Sequence, residues 1–225
     1  MSSLTMVWLL TMIVPLGLGL WAQRKVKTTF EQYSKVPVRS GMTGAQAAAE
    51  VIRSSGLTGV EIREVEGRLT DHYDPRNRML NLSPDVGQAS SVAALGVAAH
   101  EAGHAVQDAR NYFPMRVRQS FVPVASIGSS FAIPIIFIGL LIGATGLTNV
   151  GLALFTAIVL FQLITLPVEF DASKRALVAL QDGRLLEADE LDGAKSVLSA
   201  AALTYVAALV ASLSQLIYFF LASRR

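Results

Sequence analysis

Four long apolar runs constrain this chain of 225 residues more than any other feature. A helix needs about 20 apolar residues to cross a bilayer, because each residue adds only about 1.5 Å of rise. Runs of about that length occupy residues 4–22, 121–147, 150–168 and 200–222. Together with a hydrophobic content of 52%, they predict a mainly α integral membrane protein with about four transmembrane helices.

The first run is expected to be an uncleaved transmembrane anchor. A cleaved signal peptide carries positive charge before its apolar run and a small-residue cleavage site after it. Here residues 1–5 have no charged side chain, and Arg24, Lys25 and Lys27 follow the run instead. This arrangement favours an anchor over residues 4–22.

The second and third runs are separated by only the uncharged Thr148-Asn149, so they predict a transmembrane hairpin. A hairpin returns the chain to its starting side, which would place residues 23–118 and 169–199 on the same face. Basic residues concentrate near the membrane ends on that face, and the positive-inside rule then predicts a cytoplasmic location. Arg224 and Arg225 argue weakly for the opposite orientation.

The polar region 23–118 predicts a small α+β domain. A helix is expected over residues 43–54, since Thr43 can cap its start and Gly56 can end it. Residues 59–66 alternate apolar and charged side chains, the period-two pattern of a strand, and two more short strands are expected around the turn sequence Asp74-Pro-Arg-Asn77. We expect a three-stranded antiparallel meander from residues 59–66, 68–73 and 78–82.

The next helix, predicted over residues 84–109, carries the motif His-Glu-x-x-His at His100, Glu101 and His104. Positions i and i+4 share one face of a helix, so two imidazoles can reach one Zn²⁺ while the glutamate lies beside them. Two of the three histidines in the chain are used here, and the flanking residues are small and apolar. This pattern is typical of a catalytic zinc site rather than an accidental histidine pair.

A catalytic zinc takes three protein ligands, and the absence of cysteine leaves histidine and carboxylates to supply the third. Glu169 is favoured because it follows the hairpin at the border between apolar and polar sequence, where an acid is costly without a partner. Asp171 is the second choice and is more typical of a group that supports a ligand imidazole. Asp108 has the pattern of a solvated helix residue, and His72 could complete a three-histidine site.

These residues predict a zinc metallopeptidase in which Glu101 is the general base for a zinc-activated water. A donor should also stabilise the oxyanion that develops on the substrate, and His72 and Tyr73 are the candidates. The strand at residues 78–82 could pair with an extended peptide substrate. A net charge of +2 gives no indication of nucleic-acid binding.

With Glu169 as the third ligand, the site resembles that of the gluzincin metallopeptidases. Membrane gluzincins of the heat-shock and prenyl-protein protease type commonly have an aspartate four residues after the glutamate, where it supports a ligand histidine. Ser173 occupies that position here. The supporting role therefore stays open between Asp171 and Ser173.

Nearly the whole chain resembles a family of small bacterial membrane proteins, the YugP-like neutral zinc metallopeptidases. The resemblance rests on four segments, Leu69–Arg76, Leu80–Ser83, Ala99–Val106 and Leu166–Ser173. It implies zinc at His100, His104 and Glu169 with Glu101 catalytic, and a location in the bacterial inner membrane. The expected partners are the lipid bilayer and a peptide or protein substrate close to it.

Two other interpretations fit parts of the sequence. A site-2-type intramembrane protease would use the aspartate of a Leu-Asp-Gly motif as a zinc ligand, and Asp192 lies in such a motif. The charged residues before it, Ala188–Leu191, do not suit a membrane-embedded ligand loop. A non-catalytic zinc-binding membrane scaffold would have no need of Glu101, and its metal would usually be closed by a fourth protein ligand.

Overall fold

The computed structural model describes the backbone of residues 3–224 and the side chains of residue 6 and of most residues from 9 onward. The described part is mainly helical, with one small sheet. Its elements are α1 (Ser3–Tyr33), α2 (Gly44–Ser54), β1 (Glu61–Glu64), β2 (His72–Asp74), β3 (Met79–Leu82), α3 (Pro84–Gly87), α4 (Val92–Ala109), α5 (Phe113–Leu141), α6 (Thr145–Asp182) and α7 (Ala188–Ser223).

The chain divides into two compact units. The first contains the residues up to Gln23, Arg116–Pro167 and the residues from Leu203. The second contains Arg24–Met115 and Val168–Ala202. Helices α1, α6 and α7 each contribute residues to both units. The predicted polar segment 169–199 includes the end of α6 and the start of α7.

Three helices of the described chain, α5, α6 and α7, are long and apolar enough to cross a membrane. They account for the second, third and fourth predicted spans. Helix α1 contains the predicted anchor but is not among these three, so a fourth crossing is not confirmed. The C-terminal Arg225, which entered the topology prediction, lies outside the described residues.

In the first unit, glycines let α5 and α6 approach closely. A Cβ on Gly128 would lie 2.9 Å from the carbonyl oxygen of Leu154, and one on Gly151 would lie 2.8 Å from the backbone nitrogen of Ile136. Small residues at such contacts are typical of helix packing in membranes. The turn between the helices lies at Gly143, whose φ of +70° favours glycine, and the predicted connector at residues 148–149 is part of α6.

The sheet of the second unit is mixed, so the predicted antiparallel meander is wrong. The strand order is β1-β3-β2, with β1 parallel and β2 antiparallel to β3. After β1 the chain crosses to the far side of β3 through Gly67 (φ +109°) and Leu69 (φ +56°) instead of reversing directly. The sequence pattern located β1 and β3, whereas the second strand lies at His72–Asp74 and not at 68–73, and a local pattern carries no information about which strands pair.

The motif helix is shorter than predicted, because the chain between α3 and α4 pairs with an earlier segment. An isolated antiparallel bridge joins Pro37 to Ser91, and the N–H of Val92 donates to the carbonyl of Val36. Ser91 then caps α4, since its side chain accepts from the N–H of Ala94. The predicted helix 84–109 is therefore two helices, of which α4 carries the whole motif.

The core of the second unit lies around α4. Fully buried side chains from α2, β3 and α4 pack together, and buried residues from the ends of α6 and α7 join them. They include Val51, Leu80, Leu95, Leu180 and Leu198. This packing fixes α4 on several sides and so holds the motif in a rigid framework.

Glu190 is expected to contribute more to stability than its exposed neighbour Asp189. The buried carboxylate of Glu190 accepts backbone N–H groups of Arg39 at 2.7 Å and Glu187 at 2.8 Å, whereas Asp189 pairs with the Arg39 side chain at the surface. We predict that Glu190→Ala lowers the free energy of unfolding by about 1–3 kcal/mol, because both donors lose their acceptor. Asp189→Ala should change it little. Circular dichroism during chemical denaturation of the full chain measures both, and equal losses would contradict the prediction.

Candidate metal centre

His100 and His104 lie one turn apart on α4 and present their rings to the same place. The ring centroids are 4.8 Å apart and the ring planes are nearly perpendicular. His104 is buried and His100 is partly exposed. The small residues around them, such as Ala102 and Gly103, allow the helix to be enclosed on the histidine face.

Helix α6 supplies Glu169 because it packs unusually close to α4. A Cβ on Gly103 would lie only 2.7 Å from the carbonyl oxygen of Ala172, so any larger residue would force the two helices apart. Glu169 lies almost one turn before Ala172 and is only 3% exposed. The glycine inside the motif thus brings the carboxylate within reach of both imidazoles.

The three side chains form a compact group of ligand atoms. Oε2 of Glu169 lies 3.3 Å from Nε2 of His100 and 3.6 Å from Nε2 of His104. Zinc bonds of about 2.0–2.1 Å at tetrahedral angles separate neighbouring ligand atoms by about 3.3–3.4 Å. All three atoms lie within 4.8 Å of one another, and no other described residues form such a group. The donor set and its spacing therefore fit zinc.

The other residues considered as ligands lie apart from this group. Asp171 and Asp108 make other contacts, and Asp192 is exposed on α7. His72 is exposed, with Nδ1 at 2.8 Å from the carbonyl oxygen of Thr70 and Nε2 at 3.1 Å from the side-chain nitrogen of Asn81. The structure thus brings together the three residues favoured by the sequence.

Each ligand histidine has a polar partner at its other ring nitrogen. Nδ1 of His100 lies 3.1 Å from the hydroxyl of Ser173. Nδ1 of His104 lies 3.0 Å from Oε1 of Gln107, and Gln107 in turn donates to Asp171. Such partners orient ligand rings and commonly change metal affinity when they are lost.

Gln107 was missed by the sequence analysis. It lies three residues after His104, on the same side of α4, and is fully buried. Its spacing of three residues from His104, which places both side chains on one face of the helix, was the signal that could have identified it.

Glu101 contacts β2 through the backbone of Tyr73. The N–H of Tyr73 donates to Oε2 of Glu101 at 3.1 Å, and the phenol of the same residue donates to Oδ2 of Asp108 at 3.0 Å. Because Glu101 and Asp108 lie two turns apart on α4, this single residue joins the strand to the motif helix at two points. Of the two predicted oxyanion donors, Tyr73 therefore contacts the motif directly.

Burial dominates the electrostatics of these groups. It raises the pKa of the Glu101 carboxyl, although positive charge on His100 and His104 would act in the opposite direction. Burial would lower the pKa of His104, but the nearby carboxylates of Glu169 and Glu101 outweigh it and raise that pKa. Burial and the adjacent Asp108 raise the pKa of the Tyr73 phenol, so the phenol keeps its proton at neutral pH.

The fold and the site together define a mainly helical protein with membrane-length apolar helices and a candidate metal site of two histidines and one glutamate. Comparison with known proteins identifies the family. A family model described as "Putative neutral zinc metallopeptidase" matches residues 8–224, and the chain belongs to that family. It is 46% identical over 215 residues to the Bacillus subtilis (strain 168) protein named "Putative membrane protease YugP", with 95% of each chain covered. No solved structure gives a significant match.

Gly103→Ala is expected to weaken zinc binding, because the added methyl group would push α4 away from α6 and separate Glu169 from the histidines. Gly96→Ala is the matched control on the same helix, since its nearest neighbour, the Cβ of Ala194, would lie 3.4 Å away. Zinc content after dialysis, measured by atomic absorption on the purified chain, tests both. Full zinc content in Gly103→Ala would show that the close approach is not needed.

Proposed function

We propose that this chain is a membrane-anchored zinc metallopeptidase that hydrolyses peptide bonds with Glu101 as general base. The observation that carries the proposal is the group formed by His100, His104 and Glu169, with the Glu101 carboxylate on the adjoining position of the same helix. Three protein ligands leave a fourth position for water or substrate, which is the pattern of catalytic rather than structural zinc. Membership of the zinc metallopeptidase family supports the same activity.

Zinc held by these three residues would lower the pKa of a water molecule and polarise the substrate carbonyl. Glu101 takes the proton of the attacking water and passes it to the amine of the leaving peptide. The hydrogen bond from the N–H of Tyr73 orients the carboxylate for both steps.

An oxyanion donor completes the proposed mechanism. Tyr73 is the stronger candidate, because its residue contacts Glu101 and its phenol remains protonated. The phenol would have to leave Asp108 to reach the substrate. His72 remains the second candidate, although both of its ring nitrogens already have partners.

A peptide substrate is proposed to pair with β2. The earlier expectation that residues 78–82 provide the pairing edge is wrong, because β3 is the central strand and both of its edges are occupied. Strand β2 has a neighbour on one side only within the described sheet, and Tyr73 of this strand contacts Glu101. An extended peptide added along β2 would therefore run next to the general base.

We further propose that the active site faces the cytoplasm, in the inner membrane of a bacterium. The proposal rests on basic residues of the second unit that lie close in sequence to the candidate spans, such as Arg110, Lys174 and Arg175. Substrates close to the membrane suit this location. The "membrane protease" in the name of the similar Bacillus subtilis protein is in keeping with it.

Glu101→Gln is expected to retain zinc and to lose at least about 100-fold in peptide hydrolysis, because the amide cannot accept the proton. Metal analysis and cleavage of a fluorogenic peptide library by the purified full chain measure the two effects. Comparison of membrane proteomes from cells with each form would reveal the natural substrates as new protein termini. A fully active Glu101→Gln chain would contradict the mechanism, and an inactive wild type with bound zinc would favour a scaffold.

Glu169→Ala is expected to lose zinc, since it removes one of three ligands. Asp192→Ala is the matched control, because it removes an exposed carboxylate from the motif that a site-2-type protease would use. Zinc content of the two purified variants distinguishes the sites. Loss of zinc in Asp192→Ala alone would assign the metal to the other motif.

A further inference from the structure

We infer that Gln107 is a positioning residue of the metal centre, which fixes the tautomer of His104 and connects that ring to Asp171. The inference rests on the proposed zinc site and concerns how this chain prepares it. The side-chain amide of Gln107 makes three hydrogen-bond contacts. Oε1 faces Nδ1 of His104 at 3.0 Å, and Nε2 donates to the carbonyl of Val168 and to Oδ2 of Asp171, each at 2.8 Å.

The two acceptors determine the orientation of the amide. A carbonyl oxygen and a carboxylate can only accept, so the NH₂ end of Gln107 must face Val168 and Asp171. The oxygen end must then face His104, and it can only accept a hydrogen bond. Nδ1 of His104 consequently carries the proton, which leaves the lone pair of Nε2 directed to the metal.

Asp171 is itself held in place. Its Oδ2 accepts from Nε of Arg175 one turn later on α6, and the guanidinium of Arg175 lies 5.6 Å from the ring centre of Tyr112. A rotation of Gln107 would break contacts with His104, Val168 and Asp171 together. Because Gln107 is fully buried, water cannot replace any of them, so the orientation is strongly fixed.

The two ligand histidines differ in this respect. The partner of His100 is the hydroxyl of Ser173, which can either donate or accept and does not determine a tautomer. Only the His104 side has a partner whose role is fixed by other contacts. Ser173 stands where gluzincins commonly have aspartate and leaves the tautomer of His100 open. Gln107 instead fixes the tautomer of the other histidine, His104.

Gln107→Met is the test, since methionine is similar in length and removes both the donor and the acceptor. We expect zinc affinity of the purified full chain to fall by about 10–100-fold in competition with a chromophoric chelator. The visible spectrum of the Co²⁺-substituted chain should change as well, because the ring of His104 can tilt. Gln181→Leu, which alters an exposed glutamine on α6, is the control and should match the wild type.

A conservative exchange separates this role from general support of the core. Gln107→Glu has nearly the same shape and keeps an acceptor for His104, while its protonated carboxyl keeps a donor for Asp171 or for the carbonyl of Val168. We expect this variant to retain most of the zinc affinity that Gln107→Met loses. Circular dichroism and melting in chelator establish that each variant is folded before metal is added.

The outcomes are distinguishable. A wild-type chain that binds no zinc would contradict the proposed function itself. A folded Gln107→Met chain with wild-type affinity and an unchanged cobalt spectrum would overturn the positioning role, as would a Gln107→Glu chain that binds zinc as weakly as Gln107→Met. If Gln107→Met fails to fold, Gln107→Asn takes its place with the same expected loss, because the shorter amide cannot reach His104.

Discussion

Much of the second unit depends on one buried carboxylate. Glu169 is 3% exposed, and removal of a carboxylate from water costs several kcal/mol unless a cation or strong donors compensate. Its oxygen lies 3.3 and 3.6 Å from Nε2 of two imidazoles one turn apart on α4, a spacing at which a Zn²⁺ ion held by all three groups would compensate the charge. Gly103 permits the helix contact that brings these groups together. The motif has glycine at position 103 because any larger residue there would separate Glu169 from the two histidines.

The polar contacts to the rings of His100 and His104 come from residues in different parts of the sequence. Ser173 contacts His100 directly, whereas Asp171 acts on His104 through Gln107. Asp171 and Ser173 were the alternatives left open by the sequence, and each has a partner in the structure. Neither residue alone takes over the supporting role, because Ser173 contacts His100 whereas Asp171 is linked to His104 through Gln107.

The sequence predicted the parts of this protein that depend on local pattern. The spacing of His100 and His104 and the apolar runs of α5, α6 and α7 follow from helix periodicity and length. The order of the strands and the break before α4 depend on contacts between distant segments, such as the bridge from Pro37 to Ser91, which local pattern does not encode. Gln107 was missed because two of its three partners, Val168 and Asp171, lie on another helix.

The sequence predicted an antiparallel meander, and the mixed sheet found instead changes which strand lies at the edge of the sheet. In a meander, the segment after β1 would have formed the central strand. In the observed order, β3 is central and buried while β2 becomes an edge strand. Tyr73 at the middle of β2 then reaches α4 twice, through its N–H to Glu101 and its phenol to Asp108. One oxygen of Glu101, the proposed general base, accepts from a backbone N–H of β2, so the orientation of this carboxylate depends on the fold of the sheet.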